Sequence, residues 1–145
     1  MPFCYEYPRP AVAADVIVFD ISHSEPRVLL IKRKNPPYQG MWAFPGGFMD
    51  ANEKVEETAF RELFEETHLK PNKLFFLGIY DDPNRDPRGR TIGIAYIAVF
   101  NGNINPKAGD DAAEIQWFPV NKLPPLAFDH SKIIIDALQK LSTLR

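Results

Sequence analysis

The chain has 145 residues, of which 45% are hydrophobic and 25% charged, and this composition excludes a largely disordered protein. Seventeen lysines and arginines against nineteen aspartates and glutamates give a net charge of −2, so the charge balance predicts neither a nucleic-acid partner nor an acidic membrane partner. There is no basic segment followed by an apolar run at the N-terminus, and Cys4 is the single cysteine. Together these features predict one cytoplasmic domain over residues 1–145.

Taken in chain order, the hydrophobic pattern predicts five strands and two helices. The strands are apolar and β-branched segments at residues 12–21, 27–33, 73–80, 91–100 and 114–120. Residues 53–69 predict a helix because they are rich in Glu, Ala, Leu and Arg without internal Gly or Pro. A final helix is predicted from apolar residues at i, i+3, i+4 and i+7, namely Ile134, Ala137, Leu138 and Leu141. Strands on both sides of a central helix favour mixed α/β or α+β layers.

The predicted central helix is acidic on one side. Six of the nine glutamates of the chain lie within residues 53–69, and Glu62, Glu65 and Glu66 share one face because they are spaced i, i+3, i+4. Like charges at this spacing, near the C-terminal end of a helix, are unfavourable. They therefore favour a divalent cation over a simple solvated face, and hard oxygen ligands suit Mg²⁺, or Mn²⁺ as an alternative.

The opposite side of this helix is expected to face a core, with Ala59, Phe60, Leu63 and Phe64. Before the helix, Gly46 and Gly47 predict a tight turn. Because glycine has no side chain, the backbone there could approach an ion or a phosphate closely.

Several of these residues, at fixed spacing, resemble the sequence box of the Nudix hydrolases: Gly47, Glu53, Arg61-Glu62-Leu63, Glu65-Glu66 and Leu69. The resemblance covers 23 residues and differs at one position, where His68 replaces a glycine that ends the helix. Histidine tolerates a left-handed conformation, so a modest loss of stability is expected there. The resemblance implies the Nudix fold, an α/β (α+β) arrangement with a mixed β-sheet sandwiched between helices.

The same resemblance implies Mg²⁺-dependent cleavage of a nucleoside diphosphate linked to another group. By this analogy the metal is held by the backbone carbonyl of Gly46 and by three glutamates, Glu62, Glu65 and Glu66. Arg61 and Glu53 match residues that orient the helix and its carboxylates, as metal sites generally require.

Residues outside the box bear on the substrate. The loop at residues 81–90 resembles that of ADP-ribose pyrophosphatases, which implies conversion of ADP-ribose to AMP and ribose 5-phosphate. Arg85, Arg88 or Arg90 is expected to bind a substrate phosphate or reach the ribose, although an exposed loop of Asp–Arg pairs is the simpler alternative. His130 is a candidate either for a substrate hydrogen bond or for the start of the last helix, and Asp129 is expected to cap that helix.

The base that deprotonates the attacking water is sought outside the box, because glutamates bound to metal are poorer bases. The loop at residues 109–114 offers Asp111, then Asp110, then Glu114, in that order of preference, and Glu65 follows if none of them serves.

Two alternative functions stay open. One is a housecleaning pyrophosphatase of oxidised nucleoside triphosphates, and the other is a non-catalytic domain that senses ADP-ribose. The nearly intact box and the lack of a basic patch favour an enzyme. The expected partner is a small nucleotide substrate, and the family suggests a homodimer.

Overall fold

The structure is a computed structural model that describes residues 4–109 and 112–144. Within these ranges the helices and strands are, in chain order, β1 (Ala11–Asp20), β2 (Arg27–Arg33), β3 (Trp42–Ala43), β4 (Gly46–Phe48), α1 (Val55–Thr67), β5 (Phe75–Tyr80), β6 (Thr91–Phe100), β7 (Ala112–Pro119) and α2 (His130–Leu144). All five predicted strands and both helices are therefore confirmed. The pattern did not predict β3 and β4, which are too short to show a period.

Within the described part of the chain, the strands form one mixed sheet in which β3-β2-β1-β6-β5 are neighbours, β4 pairs with β1, and β7 pairs with β2. β1 and β6 are parallel, and the other pairs are antiparallel. Along its length β1 changes one neighbour: residues 13–15 pair with β4, whereas residues 18–20 pair with β2. This change of partner leaves the sheet divided beside Asp15, and the candidate site lies there.

A helix covers each face of the sheet. Successive residues of β1 point to opposite faces: Val16 packs in one cluster with Leu63 of α1, and Ile17 packs in the other with Ile133 of α2. A strand that is buried on both faces reads as a continuous apolar run rather than as an alternation, as the sequence of β1 does. The predicted mixed sheet between helices is confirmed.

Two local expectations were wrong. Gly46 and Gly47 lie in the extended strand β4 rather than in a tight turn. Phe64 does not face the core, since 39% of it is exposed, whereas Ala59 and Leu63 on the same helix are fully buried. None of the helices in the described part of the chain is both long and apolar enough to cross a bilayer.

Candidate active site

A cavity of about 420 Å³ lies where β1 changes partner, between β4, α1, the loop before β6 and the start of α2. Its volume is in the range of small-molecule sites in proteins. Carboxylates and cations both reach it, including Asp15, Glu62, Glu66, Arg33 and Arg88. The cavity can therefore hold a polar ligand that carries negative charge.

Arg61 is the centre of a hydrogen-bond network on α1. Its Nε and Nη2 donate to the two carboxylate oxygens of Glu53 at 3.1 and 2.7 Å, and its Nη1 donates to Glu62 at 2.7 Å and Glu65 at 3.1 Å. The hydrogen bonds from Arg61 lower the pKa of Glu53 to about 2, and those to Glu53 raise the pKa of Arg61. The repulsion expected between the glutamates is thus offset by one guanidinium.

Glu53 also fixes the entry to the helix. It accepts hydrogen bonds from the Thr58 hydroxyl at 2.7 Å and from the backbone N–H of Asp50 at 2.9 Å. Nη2 of Arg61 donates to the carbonyl of Phe48 at 3.1 Å as well, which ties β4 to α1. These contacts fit the orienting roles predicted for Arg61 and Glu53.

The two glycines of β4 allow the strand to pass between β1 and α1. A Cβ on Gly47 would lie 2.4 Å from the carboxylate carbon of Glu62, and a Cβ on Gly46 would lie 2.3 Å from the carbonyl oxygen of Ala14. The N–H of Gly46 donates to Oε1 of Glu66 at 2.8 Å. Glycine is needed here because β4 lies so close to β1 and α1, whereas approach of this backbone to an ion or a phosphate stays a prediction.

The donor set is chemically suited to Mg²⁺, because Glu62 and Glu66 line the same cavity beside the backbone of Gly46. Glu65 differs, since its side chain is 52% exposed and lies outside the cavity lining. Among residues 4–109 and 112–144, no three His, Cys, Asp or Glu side chains already converge as a metal site. A cation would therefore have to replace some of the hydrogen bonds that Arg61 makes.

The C-terminal end of α1 is tied to the segment before β7. His68 has φ 63° and ψ 17°, and its N–H donates to the carbonyl of Phe64. The predicted left-handed helix end is therefore confirmed. Nδ1 of His68 donates to the carbonyl of Lys107 at 2.9 Å, and the N–H of Gly109 donates to the backbone carbonyl of Glu66 at 2.9 Å.

The three candidate arginines of the loop have different surroundings. Arg85 lines the cavity, but it is buried and its Nε and Nη2 donate to the two oxygens of Asp129 at 2.9 and 2.8 Å. Arg88 also lines the cavity, is 43% exposed and pairs with Asp86 at 2.8 Å. Arg90 is not brought to the cavity, because its guanidinium donates to the carbonyl of Asp81 on the surface.

Asp129 does not cap α2 with its side chain, so that prediction was wrong. Both of its carboxylate oxygens accept from Arg85, and the N–H groups of Lys132 and Ile133 donate to its backbone carbonyl instead. His130, at the start of α2, is buried beside the cavity. Its Nδ1 accepts from the N–H of Phe44 at 3.1 Å, so Nε2 is the ring nitrogen that carries the proton.

Of the three candidate bases at residues 109–114, Glu114 alone lies among the described residues. Glu114 lies on β7, half-exposed, 4.0 Å from Nζ of Lys32, and it is not brought to the cavity. Asp110 and Asp111 lie outside the described residues. Asp110 follows Gly109, whose hydrogen bond to Glu66 fixes that end of the loop beside α1.

Sequence reasoning missed several cavity residues. Asp15 is a charged residue in an otherwise apolar strand, and this feature of the sequence could have identified it as a candidate site residue. The role of Phe128 could not be predicted, because it depends on contacts far apart in sequence: its ring receives the guanidinium groups of Arg33 at 4.9 Å and Arg88 at 5.5 Å. Phe48 lies below Arg88 at 4.9 Å. These rings and cations form a wall suited to a planar or anionic group.

A sequence model described as NUDIX domain matches residues 9–137. The chain belongs to the Nudix family. It is 49% identical over 134 residues to an ADP-ribose pyrophosphatase of Methanocaldococcus jannaschii, covering 92% of this chain and 76% of that protein. Similar solved structures include a MutT/nudix family protein from Enterococcus faecalis, with a TM-score of 0.87 and 31% identity over 98% of this chain and 66% of that one. The NUDIX domain of Shewanella oneidensis NrtR, complexed with ADP ribose, has a TM-score of 0.87 and 29% identity, covering 93% and 90%.

The protein is thus a Nudix hydrolase with the Nudix fold. Its box corresponds to β4, the following turn and α1, and the box residue Glu66 is held against β4 through Gly46. We expect the substrate to react in the cavity beside this helix.

Proposed function

We propose that this Nudix hydrolase converts ADP-ribose to AMP and ribose 5-phosphate with Mg²⁺. The observation that carries the proposal is that one cavity is lined by both carboxylates, Glu62 and Glu66, and cations, Arg33 and Arg88. A diphosphate needs both: cations from the protein, and carboxylates that hold metal ions against its charge. The relative from Methanocaldococcus jannaschii that is named ADP-ribose pyrophosphatase supports the choice of substrate.

Glu62 and Glu66 would hold Mg²⁺, or Mn²⁺ in its place, with Glu65 at the exposed rim and the carbonyl of Gly46 as further ligands. Bound there, the metal would lower the pKa of a water molecule and polarise the phosphorus. Arg61 and Glu53 would keep the carboxylates on the cavity side of α1. Hydrolysis adds water across the diphosphate, so that one P–O bond forms and the bridging P–O bond breaks.

Arg88 is the loop arginine that we assign to a substrate phosphate, because it lines the cavity and is partly exposed. Arg85 is committed to Asp129 and would position the start of α2. His130 would offer its Nε2 proton to the substrate. Arg33 adds a further cation. Burial and the charge of Arg88 lower its pKa, and the nearby carboxylates only partly oppose this shift.

For the base we keep Asp111 and Asp110 ahead of Glu114, which lies away from the cavity. Loss of a general base costs about 10²–10⁴-fold in rate. Asp110→Asn, Asp111→Asn and Glu114→Gln are therefore compared, and Glu56→Gln, exposed on α1 and away from the cavity, is the control. If none of the three candidate variants loses kcat, Glu65 becomes the candidate.

The direct test incubates the purified chain with ADP-ribose and Mg²⁺ and separates the products by chromatography. We expect AMP and ribose 5-phosphate, and no turnover when the metal is removed with EDTA. Faster release of pyrophosphate from oxidised nucleoside triphosphates would instead identify a housecleaning enzyme. Binding of ADP-ribose without turnover would identify a sensor.

A further inference from the structure

Asp15 is an acidic residue in the middle of β1, on the floor of the cavity. Its side chain is 13% exposed and lies 3.6 Å from Nε2 of His130. Within the described ranges, no hydrogen bond to its carboxylate is found. Withdrawal of a carboxylate from water without hydrogen bonds is unfavourable, so a role in ligand binding is the simplest reason for its presence.

The fold makes room for this side chain. Asp15 is opposite Gly46 in the ladder between β1 and β4, and a Cβ on Gly46 would lie 2.4 Å from Oδ1 of Asp15. The charge is partly balanced, because Asp15 acts on the guanidinium groups of Arg33 and Arg85 through space. Asp15 is thus held close to the end of the cavity where Gly46 binds Glu66.

We propose that Asp15 is a specificity-determining residue whose carboxylate accepts hydrogen bonds from sugar hydroxyl groups of the substrate. The inference rests on the proposed function, because it assumes a diphosphate bound near Glu62 and Glu66. In such a substrate the sugar is the group joined directly to the phosphates, and the base is one group further away.

The pairing with His130 favours a hydroxyl group as the ligand. A hydroxyl donates one hydrogen bond and accepts others, so it can donate to Asp15 while it accepts from the Nε2 proton of His130. The N–H of Phe44 holds the opposite ring nitrogen and thereby fixes the orientation of that proton. A carboxylate beside an imidazole donor is suited to two neighbouring hydroxyl groups of a ribose.

The test combines enzyme variants with substrate analogues. Steady-state kcat and KM are measured for ADP-ribose, for analogues that lack one hydroxyl on either ribose, and for the analogue with hypoxanthine in place of adenine. Wild type, Asp15→Asn and Asp15→Ala are compared, and Glu25→Gln, an exposed acid in the loop after β1, is the control. Thermal melts show whether each variant is folded.

We expect wild type to use one of the deoxy analogues with kcat/KM lower by roughly 10- to 100-fold, as for a lost hydrogen bond to a charged group. In Asp15→Ala this discrimination falls towards one, because KM for ADP-ribose rises to the value for the analogue while kcat changes little. Glu25→Gln keeps the wild-type pattern.

Three results would overturn the assignment while ADP-ribose is still hydrolysed. In the first, wild type uses every deoxy analogue with the same kcat/KM as ADP-ribose, a result that is seen without any variant. Asp15→Asn could change only the discrimination between adenine and hypoxanthine. It could also leave all discrimination intact and shift only the Mg²⁺ concentration for half-maximal activity, which would make Asp15 a metal ligand. Lack of AMP formation by wild type would instead contradict the proposed function itself.

Discussion

Two arginine–carboxylate clusters border the cavity, and they differ in how their partners are shared. Arg61 on α1 is 29% exposed and is hydrogen-bonded to three glutamates. Arg85 is 5% exposed and gives Nε and Nη2 to one carboxylate, that of Asp129. A shared and solvated guanidinium can release carboxylates to a cation, whereas a buried one-to-one pair is costly to open. We therefore expect the first cluster to act in metal binding and catalysis, and the second to stabilise the fold.

The largest effect is expected at the two α1 glutamates that line the cavity, Glu62 of the shared cluster and its neighbour Glu66. Glu66→Gln would remove a proposed anionic metal ligand at nearly constant shape and should lower kcat for ADP-ribose by about 100-fold or more. Glu62→Gln should behave in the same way. Glu56→Gln, exposed on the same helix, is the control and should keep wild-type kcat. Normal turnover by Glu66→Gln would remove this helix from the mechanism.

The paired cluster should show its effect in stability. Arg85→Met leaves Asp129 without its partner and should lower the free energy of unfolding by about 3 kcal/mol, measured by urea denaturation. The double variant Arg85→Met/Asp129→Leu should recover much of this loss, because replacement of both partners leaves no unpaired charge. Equal destabilisation in the single and double variants would contradict the account.

The shared cluster should also produce a dependence of stability on acid. The pKa of Glu53 is lowered from 4.5 to about 2 by Arg61, so the unfolded chain binds the proton more readily than the folded one. The stabilisation is therefore complete above about pH 4.5 and is lost as the pH falls towards 2. Glu53→Gln should flatten this part of the curve of unfolding free energy against pH.

A second carboxylate, Asp20, provides the control for that experiment. Burial raises its pKa, but hydrogen bonds from Ser22, Arg27 and the N–H of Gly102 outweigh burial and lower it to about 2. Its contribution should persist in Glu53→Gln. A slope that is unchanged in Glu53→Gln would show that Arg61 does not hold Glu53 in solution.

The smallest effect is expected at the end of α1. His68→Gly removes the exposed hydrogen bond to Lys107 but relieves a left-handed backbone, so the stability should change by less than about 1 kcal/mol. Activity should stay within a few-fold of wild type. A tenfold loss of kcat with an unchanged melting temperature would instead mean that the tie to residues 107–109 positions the reacting groups.

The sequence predicted α1, its acidic face and its left-handed end because these depend on residues close together in the chain. It could not predict that Gly46 and Gly47 lie in a strand, since this follows from the change of partner along β1. Arg85, Arg88 and Arg90 look alike in one polar loop, and only the distant partner Asp129 separates the buried one from the others. Asp15 became a candidate only when β4 and α2 were placed around it.

Most of the roles proposed for the cavity depend on the glutamates of α1 holding a divalent cation. Binding of Mn²⁺, followed by electron paramagnetic resonance in the absence of substrate, tests it directly. Wild type and Glu56→Gln should bind the ion with equal affinity, and Glu66→Gln should bind it at least about tenfold more weakly. Equal binding by all three proteins, or no binding by wild type, would contradict the claim.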